Sequence, residues 1–405
     1  MVNVQISPST NVQFEPTIAV NWLNPSVMVV VAVEFIAGIP NVGLYKSIDA
    51  GATWSTRLLP LPTGFAAMEA PHIDYIFPDS FVIVVHAFDT NGLSGSVVTY
   101  TSTDNASSFG PPVIVNRGFG QFVNDDQVIV VSDKAGSSPF FGNIYTAYTH
   151  DYNTQFVPGV TIFCNRSKDE GKTFSDPSLL SSVDNTEHFP GIAITLNGIL
   201  IVGWIIQPPG ITSFNTSTSK DGGATYGIET KVASVVIPPT PLPGYQFRCL
   251  TYPSMAGDTS NTLTTRGHVY AVWQDFRNGY SEVFISISTN FGVDWSTPKP
   301  IVTSPVGSQN FFPAITVSPA DGAVFVSYCT NRVNPPNIDV FLATSRDGGQ
   351  TFTNQRITTT SFSVAGIPVI GDYIGNAIVP QTGRLVSVWT DTRTGVANIW
   401  FGDNQ

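Results

Sequence analysis

The sequence predicts an all-β fold: a seven-bladed β-propeller of four-stranded antiparallel blades that occupies residues 1–405 as a single domain. Three observations favour this fold. The chain has 35 glycines and 30 prolines, and both residues break helices. Hydrophobic residues make up 42% of the chain and charged residues 12%, a composition that supplies a large core and disfavours disorder. An eight-residue motif also recurs at long intervals, which is typical of propellers.

The repeated motif is an octet with the template Ser-x-Asp-x-Gly-x-Thr-aromatic. Four copies follow it closely (47–54, 167–174, 219–226 and 345–352) and two follow it loosely (102–109 and 288–295). A carboxylate at the third position can close a turn by accepting backbone N–H bonds, and glycine supplies a positive φ. We therefore expect a structural, non-catalytic role for the third residues, which are Asp49, Asp104, Asp169, Asp221, Asn290 and Asp347.

The strand pattern around the octets sets the number of blades. Each octet follows a short strand, a hydrophobic strand precedes that one, and a further strand, often led by proline, comes before both. These first strands start near residues 15, 70, 125, 189, 252, 312 and 372, which gives seven blades, with six as the alternative. The last unit lacks its fourth strand, and a spare strand lies at residues 2–7. We expect that strand to complete the last blade and close the ring, which removes an exposed sheet edge.

Blade topology predicts which face carries function. In a four-stranded blade, the turn after the first strand and the turn after the third lie on one face of the ring. The octets follow third strands, so they mark that face. Candidate functional residues therefore belong to the starts of first strands and the ends of second strands, on the opposite face.

The octet resembles the Asp-box, or BNR, repeat, and the whole chain is similar to the β-propellers of the sialidase-like superfamily. That group includes hydrolases, lectin-like binders and assembly factors, so the resemblance implies the fold more directly than an activity. Our first hypothesis is glycan recognition on the face opposite the octets. A glycoside hydrolase of the exo-sialidase type is the main alternative, followed by a polysaccharide lyase. A structural, self-assembling surface module is a third class.

The resemblance also implies candidate catalytic residues. A sialidase-type site would use Tyr373 as nucleophile and Glu187 as its base, with Arg248, Arg332 and Arg393 on a substrate carboxylate. General glycoside hydrolysis needs two carboxylates, and Asp372 is a further candidate beside Glu187. The Arg-Ile-Pro motif of sialidases has no counterpart in the first blade, where residues 12–17 read Val-Gln-Phe-Glu-Pro-Thr.

Further side chains on the same rim are candidates for ligand binding. A recurring pattern at the ends of second strands, Trp-x-Asp-x-Arg, either pairs its own Asp and Arg as scaffold or presents the arginine to a ligand. The ligand-binding candidates are His72, Asp126, His188, Arg248, Arg277, Arg332, Arg393, Trp273 and Trp389.

Charge and composition limit the partners. The net charge of −11 argues against nucleic acid and anionic membrane surfaces, both of which attract basic patches. The longest apolar run, 27–35, is too short to cross a bilayer, which needs about 20 residues. No signal peptide is visible, although the resemblance implies an extracellular or cell-surface location. Three cysteines give no disulfide framework. We expect a glycan partner and no cofactor, with a structural calcium ion and homo-oligomer formation as alternatives.

Overall fold

The computed structural model describes residues 2–89, 94–120, 122–153, 158–181, 187–207 and 212–405, with the backbone alone at residues 153, 158 and 187. Its regular elements in these ranges are all strands. Strand β1 (Val4–Gln5) comes first. Blade 1 holds β2 (Gln13–Val20), β3 (Met28–Ile36), β4 (Ile39–Ser47) and β5 (Ser55–Leu58). Blade 2 holds β6 (Phe65–Ile76), β7 (Ser80–Asp89), β8 (Gly95–Ser102) and β9 (Val113–Asn116). Blade 3 holds β10 (Val123–Ser132), β11 (Ile144–Asn153), β12 (Pro158–Ser167) and β13 (Ser178–Leu179).

The second half of the chain continues the pattern. Blade 4 holds β14 (Glu187–Ile194), β15 (Leu200–Ile206), β16 (Ser213–Ser219) and β17 (Thr230–Ser234). Blade 5 holds β18 (Ser254–Gly257), β19 (Val269–Asp275), β20 (Glu282–Ser288) and β21 (Lys299–Pro300). Blade 6 holds β22 (Asn310–Val317), β23 (Val324–Thr330), β24 (Asp339–Ser345) and β25 (Thr353–Arg356). Blade 7 holds β26 (Gly375–Val379), β27 (Arg384–Asp391) and β28 (Asn398–Asp403).

The N-terminal strand completes blade 7. The sheet order is β1-β28-β27-β26, with Val4 opposite Phe401 and Gln5 opposite Trp400. The backbone N–H of Ile6 continues the pairing, since it donates to the carbonyl of Ile399 at 3.0 Å. Seven four-stranded antiparallel sheets therefore form a ring that is closed by the N-terminal strand, and the seven-blade prediction is confirmed.

The blades pack face to face, and each buries both of its faces. Along β3, the side chains of Val29 and Val31 join a core cluster with blade 2, while those of Val30 and Ala32 join a cluster with blade 7. Successive side chains of a strand point to opposite faces of the sheet, so a strand that is buried on both faces needs apolar residues at successive positions. This is why β3 is hydrophobic at every position from Met28 to Val33.

The octets form the turns between third and fourth strands. In the first copy, the Ser47 hydroxyl donates to Asp49 Oδ1 at 2.8 Å, and the amide and hydroxyl of Thr53 donate to the two oxygens of Asp49 at 2.9 and 2.6 Å. Gly51 takes a φ of 92°, and Trp54 packs on Phe401 of blade 7. Comparable bonds recur at Asp104, Asp169, Asp221, Asn290 and Asp347. Blade 7 carries the chain termini where an octet would stand.

No helix in the described part of the chain is long and apolar enough to span a membrane.

Candidate active site

The first strand of each blade, which lies innermost in the ring, starts on the face opposite the octets, and its pairing there is irregular in several blades. In five blades a β-bulge interrupts pairing with the second strand within the described residues. At each bulge one residue other than glycine takes a positive φ: Glu15 (57°), Ala70 (47°), Gln127 (55°), Phe189 (62°) and Phe312 (52°). Bulges re-aim side chains, and strained backbone of this kind clusters at functional sites. Several ionisable side chains meet at these strand starts, at the mouth of the central channel.

One arginine connects two carboxyl groups at this mouth. Arg248 lies in the long loop between β17 and β18, which its buried neighbours Phe247 and Cys249 anchor in the core. Its Nε donates to Asp372 Oδ1 at 3.1 Å, and its Nη2 donates to Asp372 Oδ2. The same Nη2 lies 4.0 Å from Glu15 Oε1. Both carboxyl groups contact one nitrogen, so these two oxygens lie at most about 7 Å apart.

The two carboxyl groups have unusual proton affinities. Burial, together with the nearby charges of Asp372 and Glu69, raises the pKa of Glu15 well above its usual range. Burial also raises the pKa of Asp372, to about 6, although Arg248 opposes this effect. Glu15 therefore keeps its proton to a higher pH than an ordinary carboxyl group, whereas Asp372 ionises near pH 6. The two neighbouring carboxyl groups thus differ from ordinary surface carboxylates in their proton affinity.

A second cluster of ionisable side chains lies next to Glu15 and Asp372, between blades 2 and 3. His86 is 1% exposed, and its Nδ1 lies 3.5 Å from Glu69 Oε1 and 3.1 Å from Asp126 Oδ1. Burial by itself would lower the pKa of His86, but the charges of Asp126 and Glu69 raise it to about 10. Burial would raise the pKa of Asp126, but His86 lowers it below the usual value.

Aromatic side chains line the channel below the carboxyl groups. A cavity of about 160 Å³ is bordered by His72, Tyr252 and Tyr373, among others. The Tyr373 ring lies 5.7 Å from that of Tyr252 and 6.5 Å from that of His72, and its hydroxyl donates to the Pro71 carbonyl at 3.2 Å. Burial and the neighbouring Glu15 raise the pKa of Tyr373 well above its usual value of 10. Burial lowers the pKa of His72 to about 4.

The structure brings together several of the residues singled out in the sequence. His72, Asp126, Arg248, Asp372 and Tyr373 all lie on this rim or line the channel below it. His188, next in the ring, packs on Phe189, which in turn contacts Tyr252. Burial lowers the pKa of His188. The backbone of Glu187 opens β14 opposite Ile206, but its side chain lies outside the described residues, so its role as a base stays a prediction.

Three predicted arginines lie elsewhere. Arg277 pairs with Asp275 and also donates to the Ser234 carbonyl of blade 4. Arg393 pairs with Asp391 and also donates to Thr359, which follows the last strand of blade 6. Each of the three guanidinium groups lies over an aromatic ring of a third strand: Arg277 over Phe284, Arg332 over Phe341 and Arg393 over Trp400. They therefore cover the outer halves of separate blades. Contrary to the prediction, Arg332 and Arg393 do not converge with Arg248, and the Asp–Arg pairs act as scaffold.

Two predicted binding residues are covered by protein. Trp273 and Trp389 are fully buried, and their Nε1 groups donate at 3.0 Å to Asp275 and Asp391. A ring with both faces packed in the core offers no platform to a ligand. The expected ligand-binding role of these tryptophans is contradicted, and their side chains hold the ends of second strands in place.

Sequence reasoning missed Glu15 and Glu69 as members of the site, whereas His86 stood out as a residue near the end of a second strand that breaks the repeat. The signal for the two carboxyl groups was nevertheless present. When the blades are aligned on the residue before the inner-strand proline, Glu15 takes the position of Tyr252, and Glu69 takes the preceding position. In blades 3 and 7, where Val128 and Ile374 stand in place of the proline, Asp126 and Asp372 take that preceding position. The alignment would have placed all four acidic groups on one rim. Blade topology places His86 on the same face, because it lies near the end of the second strand β7.

Comparison with solved structures gives several likenesses. The α-L-arabinanase of Penicillium chrysogenum in complex with arabinobiose matches with a TM-score of 0.54 at 13% identity, over 100% of this chain and 97% of that one. The NanB sialidase of Streptococcus pneumoniae matches with a TM-score of 0.51 at 10% identity, over 93% and 83%. The fold is a sialidase-like propeller. A Dyadobacter fermentans protein of unknown function also matches, with a TM-score of 0.54 at 15% identity over 84% and 97%. Comparison with protein-family models and with curated protein sequences finds no match.

Proposed function

We propose that this protein is a carbohydrate-active propeller that binds a glycan on the face opposite the octets and hydrolyses a glycosidic bond there. The observation that carries the proposal is the pair of carboxyl groups of Glu15 and Asp372 on the single guanidinium of Arg248. Glycoside hydrolysis needs two carboxyl groups about 5–10 Å apart. The shared nitrogen limits the separation of the two nearest oxygens to about 7 Å, which is compatible with the shorter part of that range.

The proton affinities assign a role to each carboxyl group. Burial raises the pKa of Glu15, so we assign it the role of the acid that donates its proton to the leaving-group oxygen as the glycosidic C–O bond breaks. Asp372 is the ionised partner, and it takes the proton of the water that adds to the anomeric carbon. Environments that separate the pKa values of two neighbouring carboxyl groups are typical of acid and base pairs.

The surroundings suit a sugar. Arg248 keeps a half-exposed side chain, so its remaining N–H groups can donate to ligand hydroxyl or carboxylate oxygens. Tyr252 and Tyr373 supply aromatic surface with a polar edge, which packs well against the apolar face of a sugar ring. The neighbours in fold, a sialidase and an arabinanase, support a carbohydrate ligand. The octets support membership of the Asp-box propellers, and an extracellular or cell-surface setting fits such a ligand.

The experiment is a glycan panel, incubated with the full chain and followed by mass spectrometry of released products and retained glycans. Wild-type protein should release a product, whereas Glu15→Gln and Asp372→Asn should each lower its rate by about 10²–10⁴-fold, the usual contribution of general acid–base catalysis. Glu34→Gln is the matched control, because Glu34 is a partly buried carboxylate on the same face of blade 1, bonded to Ser9 and Asn11. It should leave the rate unchanged.

The pH profile is a second readout. Turnover should rise as the pH passes about 6, where Asp372 ionises, and should fall at higher pH as Glu15 loses its proton. Retention of a glycan with no product from any member of the panel would replace hydrolysis by binding alone. If no glycan is retained and no product is released, the proposed carbohydrate function is refuted.

A further inference from the structure

We propose that Glu69, His86 and Asp126 form a binding site for one divalent transition-metal ion, independently of the proposed hydrolysis. Glu69 and His86 are opposite each other on β6 and β7, and Asp126 approaches from β10 of the next blade. One ligand atom from each, His86 Nδ1 and a carboxylate oxygen from the other two, lie within 4.8 Å of one another. Three donors that converge from two blades form a half-shell around one point.

The imidazole supplies an independent observation. His86 is 1% exposed, yet among the described residues neither of its ring nitrogens has a hydrogen-bond partner. The two carboxylate oxygens stand near Nδ1 at ion-pair distance but without hydrogen-bond geometry. A buried polar group left unsatisfied costs about 1–3 kcal/mol. A metal ion held by Nδ1 and the two carboxylates would satisfy that nitrogen.

The other side of the ring is built to hold the imidazole in place. A Cβ atom on Gly95 would lie 1.8 Å from His86 Nε2 and 2.3 Å from Asn124 Oδ1, so the absence of a side chain at Gly95 makes room for both groups. Asn124 Oδ1 therefore lies near Nε2 without a hydrogen bond to it, and a proton on that nitrogen would face this oxygen. A metal-binding histidine commonly directs its second ring nitrogen to such an acceptor, which leaves the first nitrogen free for the metal.

The donor set selects the class of ion. One imidazole nitrogen and two carboxylate oxygens suit Zn²⁺ or Mn²⁺, whereas Ca²⁺ takes six to eight oxygen ligands. Two carboxylates also supply the negative charge that a divalent cation needs. Arg248, the cation on the same rim, is paired with Asp372. Glu69 and Asp126 are each 35% exposed, so the open side of the half-shell faces solvent, and water or a ligand oxygen can complete the coordination.

The competing arrangement is an ion triad without metal, in which a protonated His86 pairs with both carboxylates. Calorimetric titration of the chelator-dialysed full chain with ZnCl₂, MnCl₂ and CaCl₂ separates the two. We expect one saturable Zn²⁺ per chain and weaker binding of Ca²⁺. Glu69→Gln and Asp126→Asn should each weaken Zn²⁺ binding by about tenfold or more, since even an outer-shell partner is worth 10- to 100-fold. Glu34→Gln, outside the half-shell, should leave it unchanged.

Two further measurements guard against variants that fail to fold. Far-UV circular dichroism shows whether each variant is folded. In wild-type protein, Zn²⁺ should shift the ¹⁵N resonances of His86, and Co²⁺ should give an absorption spectrum of nitrogen and oxygen coordination. The proposal is overturned if Zn²⁺ does not saturate, if Ca²⁺ binds more tightly than Zn²⁺, or if folded variants bind as well as wild type. Unchanged His86 resonances in saturated wild-type protein would also overturn it.

Discussion

The closure of the ring by β1 predicts that one apolar side chain near the N-terminus stabilises the whole propeller. Ile6 is 2% exposed and packs between blades 1 and 7, in the same cluster as Ile399 and Phe401. The substitution Ile6→Ala removes three carbon atoms from that cluster. At about 0.8 kcal/mol for each buried CH₂ group, the lost transfer free energy is about 2.4 kcal/mol. The remaining cavity adds to it, so the expected loss of unfolding free energy is about 2–5 kcal/mol.

The assay is equilibrium unfolding in urea, followed by tryptophan fluorescence and by far-UV circular dichroism. The matched control is Val2→Ala, because Val2 belongs to the same segment but is 72% exposed. It should change the unfolding free energy by about 0.5 kcal/mol or less, as surface substitutions usually do. Equal stability of the two variants would refute the conclusion that the N-terminal segment closes the ring. Separate transitions in the two signals would show that the blades do not unfold together.

Three other predictions test the scaffold. Asp391→Ala leaves Arg393 and the indole N–H of Trp389 without their buried acceptor, so it should lower the unfolding free energy by about 3–5 kcal/mol. The control Asp321→Ala, at the exposed pair with Arg346, should lower it by about 1 kcal/mol or less. Similar urea midpoints for the two variants would contradict this. Gly95→Ala should lower the unfolding free energy by about 1–3 kcal/mol, because the new Cβ would collide with His86. The control Gly136→Ala should be nearly neutral, because the space around Gly136 is open. Equal melting temperatures of the two variants would be evidence against the described packing. The Thr53 hydroxyl and amide and the Ser47 hydroxyl lower the pKa of Asp49 to about 2, so this carboxylate stabilises the fold above its unfolded pKa of about 4 and loses that effect as the pH falls towards 2. Thr53→Ala should raise the pKa of Asp49 in a ¹³C NMR titration, and an unchanged value would show that the hydroxyl bond is unimportant.

Part of the candidate site was accessible from the sequence because it follows the repeat. The face opposite the octets, and the starts of inner strands on it, followed from blade topology. Asp126, Asp372 and Tyr373 were found in that way. Glu15 was overlooked because it stands directly before an inner-strand proline, where it reads as an ordinary part of the strand pattern.

The errors had a common physical cause. The Trp-x-Asp-x-Arg pattern at the ends of second strands resembles a polar rim, because the residue types alone suit ligand binding. In the structure, each such Asp is buried and binds its own Arg and Trp, so the pattern satisfies buried polar groups within a single blade. Repetition from blade to blade was the feature that distinguished scaffold from site.

The sequence by itself determined the number of blades, the ring closure and the face on which function is expected. These features depend on local chemistry: turn-forming octets, alternation of side chains along strands and a missing fourth strand. Only the tertiary structure decided which side chains meet. Arg248 reaches Asp372 across 124 positions of the chain, and Asp126 approaches His86 from another blade. Such contacts depend on the packing of separate blades around one axis and on bulges that re-aim side chains. The local sequence alone does not predict either of them.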